Sequence, residues 1–176
     1  MTLWRALVGA DPATDILAIL AAQHAEIDAL FARLAARDGD PRPTFRALAT
    51  QLAAHTAAEA QVFYPAIVSK ASDELLQEAA EDHLAIERVL GELIAMPADD
   101  RAFFVRLAAL EAQVQHHMHD EEERTVLPQV RSWMGADRRA ALGRAFVVAF
   151  EARRQLPPNS SPPIASPHTS APPRLR

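Results

Sequence analysis

The sequence predicts an all-α protein: an antiparallel up-down four-helix bundle, a shorter fifth C-terminal helix, and a disordered Pro/Ser-rich tail. Three observations carry that prediction. Glycine is limited to 5 residues and aromatics to 6%, while alanine recurs along all 176 residues. Alanine has the best helix propensity, and strands favour β-branched and aromatic residues instead. Apolar residues recur at alternating steps of three and four, the spacing of one helix face. No stretch sustains the period-two alternation of a half-buried strand.

The first stripe is Leu17, Leu20, His24, Ile27, Phe31 and Leu34, and Asp38-Gly39-Asp40-Pro41 breaks the chain after it. The second is Phe45, Leu48, Leu52, His55, Glu59, Val62 and Ala66. Ser72-Asp73-Glu74 has the chemistry of a helix start, an N-cap followed by acids, and opens the stripe Leu76, Ala79, His83, Ile86, Leu90 and Leu93. Met96-Pro97-Ala98-Asp99 is the next break. The fourth stripe is Leu107, Leu110, Val114, His117, Glu121 and Thr125, with Leu127 and Val130 beyond it. A shorter segment, about Asp137 to Arg154, carries Leu142, Phe146, Val147 and Phe150 and is expected to cap the bundle. Four long helices with short connections pack most simply as an antiparallel bundle. Trp4, Trp133 and Met134 read as packing residues.

Seven of the 13 prolines follow Leu156, with serines between them. Such a stretch has no backbone ladder and almost nothing to bury, so it is expected to be disordered and partly PPII, with His168 in solvent. Residues 1–155 are therefore read as one helical domain and 156–176 as the tail.

Composition excludes several chemistries. With Cys at 0 there are no disulfides, thiolate zinc sites, iron–sulfur ligands or cysteine nucleophiles. A net charge of −5, with Lys70 the single lysine, argues against a basic face for nucleic acid. The most apolar early run, Ile16 to Ala22, falls far short of the roughly 20 residues of a bilayer helix and makes a poor signal peptide. A cytoplasmic location without membrane contact is expected.

Histidine is the informative residue. Each of the four stripes is interrupted once, near its middle, by a histidine on the inward face. The second and fourth stripes place a glutamate one turn later, His55 with Glu59 and His117 with Glu121. Residues four apart differ by about 40° around an α-helix, so each pair projects toward one point. Burying such groups without a partner costs several kcal/mol per ionised group, and a metal centre removes that cost. The order His24, His55-x-x-x-Glu59 then His83, His117-x-x-x-Glu121 repeats, which suggests two ions, each with two histidines and both bridged by the glutamates. With a bridging oxide or hydroxide, at least one octahedral position stays open. Imidazole with carboxylate suits iron, and the same donors accept manganese or zinc. Two other four-residue pairs, His119 with Glu123 and His116 with Asp120, compete on the fourth helix. His117 and Glu121 are preferred because they continue the Leu107, Leu110, Val114 stripe. Glu122 and Glu123 otherwise read as an exposed, self-repelling turn. Tyr64, about 140° off the stripe from Glu59, reads as a packing residue.

The fragments Gln23-His24-Ala25-Glu26-Ile27, His55 to Pro65, Asp82-His83-Leu84-Ala85-Ile86-Glu87 and His117 to Glu123 resemble the hemerythrin-like HHE cation-binding domain, over about residues 14–131. The resemblance implies a non-haem di-iron site in the bundle core, serving oxygen carriage, oxygen or nitric-oxide sensing, or iron handling. Two departures stand out. Hemerythrins proper carry a second histidine one turn after the first on the third helix, where this chain has Glu87, itself a candidate ligand. Glu59 precedes Pro65 by six residues, whereas Glu121 precedes Pro128 by seven; the family pattern has the shorter gap in both halves.

The leading expectation is a di-iron protein binding dioxygen, nitric oxide or iron itself. The rivals are a di-iron enzyme turning over peroxide or nitric oxide, and a metal-free bundle that binds partners through its surface or tail. No protein partner is named by the sequence.

Overall fold

The computed structural model describes residues 14–98 and 100–160. Among them are five helical rods and no strand. The rod α1 is Ile16–Ala36. It opens on Asp15, whose carboxylate accepts from Leu17 N–H, and closes on Arg37 in the left-handed region, φ 56°. The rod α2 begins as Pro41–Ala58, with Asp40 as N-cap and proline in its first turn, where the missing N–H costs nothing. It continues unbroken through a π-helical stretch, Glu59–Phe63, into one further turn, Tyr64–Ile67. Ser72 caps α3, Asp73–Ala95, and Asp73 and Glu74 face the positive end of its dipole. Asp100 caps α4, which runs as Arg101–Gln115, a second π-helical stretch His116–Val126, and Leu127–Trp133. The last rod, α5, is Ala136–Arg154. No helix among the described residues is long and apolar enough to cross a membrane.

In the pairs α1–α2 and α3–α4 the two rods run in opposite directions. Gln51 reaches Glu26 and Arg33 reaches Thr44 across α1 and α2. Arg106 meets Glu92, and His117 meets His83, across α3 and α4. The buried apolar side chains fall into two separate clusters. One gathers Ile27, Phe31, Leu48, Leu90, Phe103 and Leu110. The other gathers Leu17, Leu20, Phe63, Val130, Phe146 and Phe150. Between them lies a polar layer, because each inward stripe carries its histidine midway.

Helix α5 does more than the sequence suggested. It lies along α2, α1 and the first π stretch rather than capping an end, and Phe146 packs edge-on to His55 at 6.4 Å. Its close approach depends on Gly143, where a Cβ would run into the backbone oxygen of Thr14 and Ile19 Cδ1. Replacing Gly143 with alanine is therefore expected to destabilise the fold by ~1–3 kcal/mol despite alanine's better helix propensity. A variant melting at or above the parent contradicts this packing. Trp4, His168 and the tail beyond Ser160 lie outside the described residues.

Candidate metal centre

The middle of each long rod contributes to one buried polar layer. His24, His55, Glu59 and Glu122 are fully buried, and His117 and His83 are 1% and 7% exposed. The four Nε2 atoms turn inward onto two carboxylates. Glu59 spans two histidines: Oε1 stands 3.3 Å from His55 Nε2 and Oε2 stands 3.3 Å from His83 Nε2. Glu122 spans the other two, with Oε2 3.1 Å from His24 Nε2 and Oε1 3.9 Å from His117 Nε2. His83 and His117 face each other, Nε2 to Nε2, at 3.0 Å. Two overlapping donor sets result, His24–His55–Glu59–Glu122 and Glu59–His83–His117, sharing Glu59.

The residue that completes this layer is Glu122 and not Glu121. The sequence reading carried α-helical periodicity through the fourth rod, which puts residue 121 inward and residue 122 outward. The chain widens there into a π-helix, and Leu127 N–H bonds Glu122 C=O five residues back. Bonding of the i→i+5 kind brings residues five apart into near register, so His117 lines up with Glu122. Glu121 falls just outside, its Oε2 3.2 Å from His117 Nδ1. The exposed turn expected at Glu122 and Glu123 is likewise corrected, since Glu122 is wholly buried. With Glu122 the spacing to Pro128 becomes six, the same as from Glu59 to Pro65. Equal spacing to the two prolines is the signal in the sequence that could single out Glu122. Each π stretch stops at a proline turn, where the ring cannot donate the i→i−4 bond.

The same widening explains Tyr64. Its N–H bonds Glu59 C=O, five residues back, and the ring turns into the layer rather than 140° away from it. Its hydroxyl donates to Glu122 Oε1 at 2.6 Å, and its ring lies edge-on to His83 at 5.7 Å.

An outer ring of acceptors holds the other imidazole nitrogens. Gln23 Oε1 is 2.8 Å from His55 Nδ1, and Glu123 Oε1 is 2.7 Å from His24 Nδ1. Glu121 and Asp82 face His117 Nδ1. Such acceptors place the proton on Nδ1 and leave the Nε2 lone pair pointing inward. Glu123 and His119 belong to this ring: His119 Nδ1 meets Glu123, and its Nε2 meets Asp28 at 2.9 Å. Glu87 is exposed and stands in neither inner donor set. His116 pairs with Asp120 on the outer face.

Electrostatics mark the layer as strained without a cation. Burial, then the charge of Glu122, raises the Glu59 carboxyl well above its usual range, so it keeps a proton. Glu122 keeps its charge: burial opposes it, but His24 and His117 overcome that and push it down. Burial and the charge of His24 push His55 well down. Burial and the charge of His117 push His83 down to about 4. His117 itself is raised, since Asp82 and Glu121 outweigh its burial. Burial, then Glu122 and Glu59, raises the Tyr64 hydroxyl, which stays protonated.

Both oxygens of Glu59, Oε2 of Glu122 and the Nε2 atoms of His24 and His55 are buried without a hydrogen-bond partner. Native interiors seldom leave such groups unpaired. Imidazole nitrogens and carboxylate oxygens converging in a dry layer are the donor chemistry of a borderline divalent ion, and these residues fit one.

A family model described as the hemerythrin HHE cation-binding domain matches residues 15–130. No curated protein and no solved structure matches the chain.

Proposed function

This chain belongs to the hemerythrin HHE cation-binding domain family, and from that premise we propose that it is a non-haem di-iron protein binding a diatomic ligand, dioxygen or nitric oxide. One observation carries the reading: two buried carboxylates each span two inward imidazoles, and five of their atoms lack any other partner. In this reading the four long rods form an antiparallel four-helix bundle around the centre. His24, His55, Glu59 and Glu122 would hold one ion, and His83 and His117 with Glu59 would hold the other. When bound, the pair would supply redox chemistry toward a small ligand. The chain's own residues do the rest. Gln23, Glu123 and Glu121 fix the imidazole tautomers, Tyr64 orients Glu122 through its hydroxyl, and the flanking apolar clusters exclude water.

Anaerobic loading with ferrous iron followed by metal analysis tests this reading. Two irons per chain are expected, and the double variant His55→Ala with Glu59→Ala is expected to bind none. A stoichiometry well below two, or a double variant that loads like the parent, overturns it. Loading has a proton signature as well. Metal-free Glu59 holds a proton, and His24 and His117 are raised, His24 because the charge of Glu122 outweighs its burial. Ligation needs all three deprotonated, so uptake at pH 7 releases protons and the affinity rises with pH. Calorimetry in buffers of different ionisation enthalpy reads the release directly; its absence contradicts the assignment.

A second reading has its own support. Glu87 is exposed where oxygen carriers have imidazole, and His83 is the most exposed of the inner residues. A wetter, donor-poor second ion suits turnover of peroxide or nitric oxide. A stable, reversible oxygenated spectrum favours carriage; rapid oxidation with peroxide consumption favours the enzyme.

A further inference from the structure

Between α2 and α3 lies a recess of about 120 Å³, outside the donor layer but beside it. Its floor includes Ala53 and Thr56 from α2 and Glu87 from α3. Thr56 follows His55 in the chain, and Glu87 stands one turn beyond His83. Its outer wall is the chain after α5, Pro158 to Ser160. In that segment Pro157 and Pro158 have no N–H to donate, and Ser160 N–H turns back onto Pro157 C=O at 3.0 Å. Arg153 holds it. The residue is 8% exposed, and its guanidinium spends Nη1 on Pro157 C=O at 3.1 Å and Nη2 on Pro158 C=O and Ser160 C=O, both at 2.9 Å. Its Nε has no partner, and it forms no ion pair closer than the long-range attraction of Glu87. The three carbonyls offset part of the cost of burying the cation.

An independent observation points to the same space. Gly91 sits in the interior of α3 at the recess, and a Cβ built there meets nothing within 4 Å. Packing does not require glycine at this position, and glycine weakens a helix interior. Gly91 is exposed, so a longer side chain there has room to reach over the opening.

We propose that this recess is the access and docking site for the small neutral ligand of the metal centre, and that residues 157–160 are its cover, latched by Arg153. The proposal rests on the di-iron reading for its ligand, but not for its cover. A volume of about 120 Å³ admits a molecule of a few atoms and excludes anything larger. The latch is made of three hydrogen bonds to one side chain, so it opens without unfolding a rod.

Two measurements test it. The chain has no cysteine, so Ala53→Cys places a single thiol on the floor of the recess. In the metal-free full chain its reaction with a small thiol reagent is expected to be slow, and at least tenfold faster when Arg153→Ala is added. Equal rates in the two backgrounds overturn the cover. In the ferrous-loaded protein, Gly91→Met is expected to fill the opening. It should slow nitric-oxide binding at least tenfold at unchanged metal content, while Ala109→Met, an exposed position on α4, leaves the rate alone. A Gly91→Met rate within twofold of the parent, with full metal, overturns the docking site. Failure of every chain, the parent included, to take up iron or nitric oxide counts against the di-iron reading; the thiol rates then decide the cover by themselves.

Discussion

Replacing Glu122 with alanine abolishes two-ion loading, whereas replacing Glu121 with alanine leaves two ions bound at saturation with an affinity lowered ~10–100-fold. The contrast follows from where each carboxylate sits. Glu122 is fully buried, and its two oxygens face His24 on one side and His117 on the other. In the di-iron reading its removal deprives the centre of a donor, and it leaves Tyr64 with an unpaired hydroxyl. Glu121 meets His117 at its outer nitrogen and turns its other oxygen to His116, and loss of an outer partner of this kind typically costs about 10–100-fold in metal affinity. Anaerobic equilibrium dialysis of each variant against ferrous iron reads both numbers. Glu122→Gln keeps the shape and one donor oxygen, so its retained fold and weakened loading separate ligation from packing. The reverse ranking, with Glu121 essential and Glu122 dispensable, would mean that the fourth rod is α-helical through the site.

The same two residues show what the sequence could and could not tell. Helix positions, the Ser72 cap and the inward histidines are legible, because they depend on local chemistry: Ser72 accepts from Leu75 N–H at the start of its rod, and the three-four spacing survives wherever the helix is regular. His55 and Glu59 are legible for that reason, since the α-helical stretch lasts until Ala58. His117 already lies inside the second π stretch, so extrapolation of the α period fails by one residue at Glu121. Tyr64 fails in the same way from Glu59. A π-helix has no propensity signature of its own; it is stabilised by tertiary contacts and is common at functional sites. The only trace is indirect, the equal six-residue gap to Pro65 and Pro128. Gln23 was illegible for a different reason. Nothing local distinguishes a buried amide that accepts from His55 across two rods from an ordinary polar residue beside a stripe.

Stripping the ions from the loaded protein is expected to lower its melting temperature by on the order of 15 °C or more, and Glu59→Gln is expected to erase that difference from the metal-bound side alone. An ion held a thousandfold above its dissociation constant stabilises the native state by about 4 kcal/mol. For a chain of this size each kcal/mol moves the melting point by roughly 2–4 °C, and two ions add. The metal-free state is the weak one because five buried donor atoms, on His24, His55, Glu59 and Glu122, have no hydrogen-bond partner. Within that state Glu59 is neutral, since burial and the neighbouring Glu122 keep its proton on. Glutamine has the same shape and the same charge as that protonated carboxyl. Glu59→Gln should therefore melt at or slightly above the metal-free parent, yet gain little from added iron. Differential scanning calorimetry of four samples, each protein with and without metal, reads the outcome. A metal-free variant that melts several degrees lower would show that the Glu59 carboxyl contributes to the fold itself. With no such loss, the residue is kept at a cost to the empty protein and serves the centre, which is the usual sign of a site in conflict with its scaffold.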